Sequence, residues 1–238
     1  MKLNIYKDKQ EVAEQFSEFL AERIKQSTGK LNVSLSGGST PKVVFDYLAE
    51  KFSYLDWSKV NFFWGDERCV PPEDEQSNYK MTVDHLFSKI DIPQENIYRI
   101  KGENNPDEEA DAYGETLNKV LPLANDIPEF DLIILGMGDD GHTASVFQSN
   151  IHLWDSSNNC EVAVHPESGQ KRVTITGKII NQAKEVAFLV TGADKKEKVD
   201  TILKGDEVSK SYPAGLVSPS SGELYWFLDE SAVDKSYH

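Results

Sequence analysis

From residue 8 to residue 28 the apolar positions Val12, Phe16, Leu20 and Ile24 recur every fourth residue, a stripe that predicts an amphipathic helix ending at Gly29. A short apolar run at 31–36 predicts a strand. It leads into Ser36-Gly37-Gly38-Ser39-Thr40-Pro41, where Pro41 at a first helical position behind a Thr cap predicts a helix through Val44, Phe45 and Leu48. The same order of strand, loop and helix is expected at 60–64, 65–72 and about 77–89, and a further, acidic helix over about 106–124. Strands are then expected at 131–135, 162–165, 172–176, 186–190 and 224–228, with helices near 178–183 and 195–203 between them.

Continuous apolar runs such as Leu132-Ile133-Ile134-Leu135 suit strands buried on both faces, because successive side chains point to opposite sides of a sheet. Strands of this kind alternating with helices predict an α/β fold: a mostly parallel sheet with helices on both faces, a Rossmann-like three-layer arrangement. The polar stretch 102–111 is short and flanked by patterned segments, so it reads as a surface connection, and the whole chain, 1–238, is expected to form a single domain.

Composition narrows the partners. The 238 residues carry 25 Lys and Arg against 40 Asp and Glu, a net charge of -15, which opposes binding to nucleic acid or an anionic membrane surface. Any anion site must be a local cluster that overrides the global sign, and Arg68, Arg172 and Lys195 are the candidates. Two cysteines, Cys69 and Cys160, are too few for a disulfide framework and lack metal-ligand spacing; a reducing cytoplasm fits them. The first ten residues have no signal-peptide core, and no segment reaches the roughly eighteen apolar residues of a spanning helix.

The most loaded segment is Phe130 to Ser145, F-D-L-I-I-L-G-M-G-D-D-G-H-T-A-S. A buried strand ends there in closely spaced glycines, two carboxylates and a histidine, and in an open α/β sheet ligands lie outside the carboxyl ends of strands. His142 is therefore the candidate base, with Asp140 placed to fix its tautomer. The string Gly136-Met137-Gly138-Asp139-Asp140-Gly141 matches G-x-G-x-x-G, but its carboxylates would repel a pyrophosphate, and Glu161, about twenty residues on, opens a predicted strand instead of closing one. A metal reading of Asp139, Asp140 and His142 is weaker, since the other histidines (85, 152, 165, 238) show no HExxH or similar spacing. No Walker A or G-x-S-x-G motif occurs.

Gly37, Gly38, Ser39 and Thr40 fit a phosphate cradle at a helix start, where free N–H groups and the positive dipole end favour an anion; an ordinary turn capped by Thr40 fits equally well. In Trp64-Gly65-Asp66-Glu67-Arg68, Arg68 could grip an anion or an oxyanion, and Asp66 or Glu67 could take a proton or bind a sugar hydroxyl; a solvated ion-pair cluster is the plainer reading. Arg172, near the start of Lys171-Arg172-Val173-Thr174-Ile175-Thr176, and Lys195, after Thr191-Gly192-Ala193-Asp194, would supply a positive patch if both converge on the first glycine loop.

These segments together resemble the glucosamine-6-phosphate isomerase/6-phosphogluconolactonase family. The ordered set is L-S-G-G-S-T-P at 35–41, W-G-D-E-R-C-V-P at 64–71, S-N-Y at 77–79, G-M-G-D-D-G-H-T-A-S at 136–145, R-V-T-I-T at 172–176, V-T-G-A-D-K at 190–195 and Y-P-A-G-L-V at 212–217. Each string alone is weak, but their order and spacing are specific. The resemblance implies hydrolysis of 6-phospho-D-glucono-1,5-lactone, a step of the oxidative pentose phosphate pathway, with neither metal nor organic cofactor; a cytoplasmic monomer or small homo-oligomer is expected. It implies His142 as general base and Arg68, Arg172 and Lys195 as substrate-holding cations.

Within the family, the aminosugar phosphate isomerase/deaminase branch typically has D-E-Y where this chain has Asp66-Glu67-Arg68, and Asn-Glu-Pro where it has Ser145-Val146-Phe147-Gln148; both differences favour the lactonase branch. Gln148-Ser149 departs from the Pro-Gly common in lactonases. A non-catalytic sugar-phosphate sensor on the same fold is the alternative outside enzymes.

Overall fold

The computed structural model describes residues 1–220 and 222–237; His238 lies outside them. In chain order the strands are β1 (Lys2–Tyr6), β2 (Leu31–Leu35), β3 (Val60–Trp64), β4 (Asp66–Arg68), β5 (Leu123–Ala124), β6 (Ile127–Pro128), β7 (Leu132–Leu135), β8 (Cys160–Val164), β9 (Lys171–Ile175), β10 (Glu185–Val190) and β11 (Glu223–Asp229). The helices are α1 (Lys9–Gln26), α2 (Ser39–Lys51), α3 (Asn78–His85), α4 (Pro106–Val120), α5 (Gly177–Gln182) and α6 (Lys196–Lys204), joined by short 3₁₀ turns.

Six strands form one parallel sheet in the order β1-β11-β10-β7-β2-β3. Every residue of β3 and β7 is buried, and because consecutive side chains point to opposite faces, both faces of the sheet centre are covered. The α1 stripe is part of that cover: Val12, Phe16, Leu20 and Ile24 are all buried, and Phe16 and Phe19 pack their rings on Phe227 of β11. Asp8 caps α1 by accepting from the Glu11 N–H.

Chain direction splits between β2 and β7. From this junction the path runs β2 to β3 toward one edge and β7, β10, β11 toward the other. A split of this kind opens a crevice beyond the carboxyl ends of the two strands, where ligands of open α/β sheets bind.

Several expectations need correction. The segments 162–165 and 172–176 do not join the parallel sheet; β8 and β9 pair antiparallel, and β9 pairs antiparallel with β4 in a separate three-stranded sheet. The β4 strand lies inside the expected loop 65–72, since a D-E-R string has little strand propensity and extends only because β9 supplies its ladder. Edge strand β1 was also not expected: Leu3 and Ile5 alternate with polar residues, but over only five positions. Helix α4 ends at Val120, two residues before Pro122, and residues 123–128 form a small hairpin through Asn125 and Asp126, both left-handed (φ 54° and 62°). Helix α3 stops at His85, where Leu86 leaves helical geometry (φ -131°, ψ -63°) before a 3₁₀ turn at Phe87–Lys89.

Candidate active site

The crevice at the β2/β7 junction is a cavity of about 220 Å³. Four strand ends build it: the loops after β2, β3, β7 and β10. Its lining brings together Gly37, Gly38, Ser39, Thr40, Asp66, Arg68, His142, Arg172 and Lys195, residues spread over more than 150 positions of sequence. Asp140 stands behind His142, and Glu67 is turned away.

After β2 the backbone passes through Gly38 at φ 110°, a conformation that a side chain would strain, and enters α2 with no side-chain cap. The first-turn N–H groups of α2 are thus open toward the crevice. Thr40 does not cap this helix, contrary to the turn reading. It lies one residue inside the helix, and its hydroxyl pairs with that of Thr191 at 2.7 Å, tying the loop after β2 to the end of β10. Ser39 Oγ accepts from Lys9 Nζ at 3.1 Å.

The β4 strand explains the different fates of its three charged residues. Alternation along the strand sends Asp66 and Arg68 toward the crevice and Glu67 away from it. Glu67, one of two acids that could have met substrate, is 2% exposed, and its carboxylate accepts from the N–H groups of Arg68, Asn78 and Tyr79 and from the Ser77 hydroxyl, all within 2.8–2.9 Å. It closes the open N-terminus of α3; burial pushes its carboxyl up, against the pull of those four donors.

Arg68 pairs in register with Arg172 across the β4–β9 ladder. Arg68 Nη1 donates to the Gln76 carbonyl at 2.5 Å, while the buried Nε atoms of both arginines have no acceptor among the described residues. Arg172 Nη1 lies 3.4 Å from Ser145 Oγ and 4.0 Å from Asp66 Oδ2. Burial lowers the Arg172 pKa from the ordinary guanidinium value, with Asp66 opposing and Arg68 adding to the fall. A cationic pair with unmet donors, turned into a crevice of an acidic chain, is set up to receive an anion. Lys195 joins it from the turn after β10, its Nζ 3.2 Å from Asp194.

On the β7 side, His142 Nδ1 lies 2.6 Å from Asp140 Oδ1, which also accepts the His142 N–H at 3.1 Å. Burial pushes the Asp140 carboxyl up, but the hydrogen bonds and charge of His142 outweigh it and hold the group at about 2. An ionised carboxylate only accepts, so the proton between them belongs to Nδ1, and the neutral imidazole keeps its lone pair on Nε2. The ring packs on Phe147 with centroids 4.4 Å apart. Asp139 is exposed outside the crevice. Among the described residues no three His, Cys, Asp or Glu side chains are grouped to hold a metal.

The lining also includes residues that sequence reasoning did not name as site candidates, among them Asn78, Met137, Ala144 and Thr191. Asn78 Nδ2 donates to the Asp66 carbonyl at 3.0 Å. Ala144 lines the crevice in the left-handed region (φ 48°), strain held by the bridge between Thr143 and Val146. No residue type at 144 announces that strain.

The glucosamine-6-phosphate isomerases/6-phosphogluconolactonase family matches residues 7–226. The chain belongs to this family. It is 41% identical over 223 residues to the 6-phosphogluconolactonase of Treponema pallidum (93% of this chain, 92% of that protein) and 44% identical over 205 residues to that of Haemophilus influenzae (85% and 86%). Among solved structures, the 6-phosphogluconolactonase of Trypanosoma brucei superposes with a TM-score of 0.86 at 30% identity, over 97% of each chain. The family match begins between β1 and α1 and ends in β11, so it takes in all four loops that line the crevice. Among the described residues no helix is long and apolar enough to cross a membrane.

Proposed function

We propose that this chain hydrolyses 6-phospho-D-glucono-1,5-lactone to 6-phospho-D-gluconate in the oxidative pentose phosphate pathway, as a single cytoplasmic domain that works alone or in a small homo-oligomer. The observation that carries this reading is the opening of a carboxylate-braced imidazole and a cluster of three cations into one crevice. The relatives named 6-phosphogluconolactonase support the choice of substrate.

The open N-terminus of α2, Arg172 and Lys195 hold the phosphate, and this binding remote from C1 positions the lactone carbonyl. His142 Nε2 takes a proton from water as its oxygen attacks C1. Arg68 faces the oxyanion of the tetrahedral intermediate. Collapse breaks the bond from C1 to the ring oxygen, which receives the proton from His142. Asp140 holds the ring and stabilises the imidazolium.

Parallel assays of lactone hydrolysis and glucosamine-6-phosphate deamination test the reading. Hydrolysis without deamination is expected. Deamination would assign the chain to the isomerase branch, and binding with neither conversion would make it a sensor.

A further inference from the structure

Ser145 is completely buried, three residues beyond His142, and plays no part in the scheme above. Its N–H donates to Thr174 Oγ1 at 3.1 Å, which fixes the backbone independently of the side chain. Its hydroxyl donates to Asp66 Oδ2 at 2.5 Å and so turns its lone pairs to Arg172 Nη1 at 3.4 Å. The hydroxyl therefore stands between a buried carboxylate and a buried guanidinium whose charged atoms are 4.0 Å apart. Asp66 has one further side-chain donor, Asn78 Nδ2, at a long 3.4 Å. Arg172 Nε has no acceptor among the described residues. Each group is under-partnered, and a direct contact between them would satisfy both.

We infer that Ser145 is a positioning residue that keeps Asp66 from capturing Arg172, so that the guanidinium stays free for the anion of the substrate. Asp66 Oδ2 holds one short bond, from the serine hydroxyl. With the hydroxyl removed, that oxygen loses its best donor, the obstruction disappears, and the arginine closes the gap to form an internal ion pair. An anion entering the crevice must then break that pair before it gains the same contact. The inference rests on the anion-binding role proposed for Arg172, and it adds that anion affinity is set by a neutral hydroxyl the ligand never touches.

The probe is inorganic phosphate as a competitive inhibitor of lactone hydrolysis, since it reports the anion site without contacts to the sugar. Ser145→Ala is expected to raise the phosphate inhibition constant and KM about tenfold, the loss of one charge-assisted contact, with kcat within threefold of wild type. Adding Asp66→Asn removes the competing charge, and the double variant is expected to recover the wild-type inhibition constant within threefold. A unchanged inhibition constant in Ser145→Ala, or a double variant no better than the single, overturns the inference. If the alanine variant does not fold, Ser145→Gly, which also removes both the donor and the obstruction, carries the same comparison alone and with Asp66→Asn. Failure of the functional reading looks different: wild-type protein would not hydrolyse the lactone, or phosphate would not compete with it.

Discussion

Arg68 and Arg172 face each other directly across the β4–β9 ladder, two like charges in a position where opposed pairs destabilise a sheet. The fold tolerates this arrangement at the lining of the crevice, and the anion proposed to bind there would relieve it. Inorganic phosphate or 6-phosphogluconate at about one hundred times its dissociation constant is expected to stabilise the protein by about 2.7 kcal/mol. For a chain of this length that is a rise in Tm of roughly 5–10 °C. Arg172→Met should lose most of this rise while melting no lower than wild type in phosphate-free buffer, as thermal scanning of both proteins will show. A variant that melts several degrees lower without ligand yet keeps the shift would mean that the pair is structural.

The bond between Asp140 and His142 predicts a separation of rate from binding. His142→Ala removes the proposed base, and Asp140→Asn leaves an amide that no longer enforces the Nδ1–H tautomer. Both are expected to lower kcat by about 10²- to 10⁴-fold, the usual range for a general base. KM should stay within about threefold, since the cations proposed to hold the phosphate are untouched. Steady-state kinetics decides this, and unchanged turnover in His142→Ala would remove it from the mechanism.

The depressed acidity of Asp140 also has a signed pH consequence. Its ordinary value is 3.8 and its folded value about 2, so ionisation favours the folded state; the contribution is complete above about pH 4 and is lost as pH falls through about 2. Denaturant unfolding of wild type and Asp140→Asn between pH 2 and 6 should show a stability difference that is constant at the upper end and shrinks toward the lower. The side chain is 41% exposed, so solvent screening keeps that difference well below what the shift alone implies. A difference that grows on acidification contradicts the assignment.

The parallel sheet was legible because β7 and the greater part of β3 (Phe62–Trp64) and β10 (Val186–Val190) are continuous apolar runs, the pattern of strands buried on both faces. The histidine loop was legible because glycines and charged residues follow such a run directly. What could not be read locally was created by pairing. Asp66-Glu67-Arg68 becomes a strand only against Lys171–Ile175, and that register alone decides that Asp66 and Arg68 face the crevice while Glu67 turns inward. The Thr40 hydroxyl likewise finds Thr191, 151 positions away, in place of the helix end beside it. Had alternation been applied to residues 66–68, Glu67 would have separated from its neighbours at once.

Glu67 therefore predicts the opposite of a substrate contact. Glu67→Ala strands four donors, three of them backbone amides, at the start of α3 and under β4. The expected cost is about 3 kcal/mol, in the range for a buried hydrogen-bonded group losing its partners, and a fall in Tm of roughly 6–12 °C. At temperatures where the variant stays folded, kcat/KM should drop less than tenfold. Thermal melts paired with low-temperature kinetics distinguish this from a binding residue, for which activity would collapse and stability would hold.

Gly138 offers the sharpest test of how the catalytic pair is packed. A Cβ at this position would overlap the His142 ring at Nδ1 and Cε1 and crowd Asp140 Oδ1. The three nearest atoms it meets belong to the two side chains that form the 2.6 Å bond. In Gly138→Ala the imidazole and carboxylate must move apart, whereas the sheet beneath, anchored by fully buried Leu132–Leu135, has no reason to shift. The variant is expected to melt within a few degrees of wild type, to bind inorganic phosphate with wild-type affinity, and to lose kcat by at least about a hundredfold, as Asp140→Asn does. Combining the two changes should cost little more than either alone, because both break the same bond. Full additivity of the two losses would show instead that Gly138 serves the site by a route other than the His142–Asp140 contact.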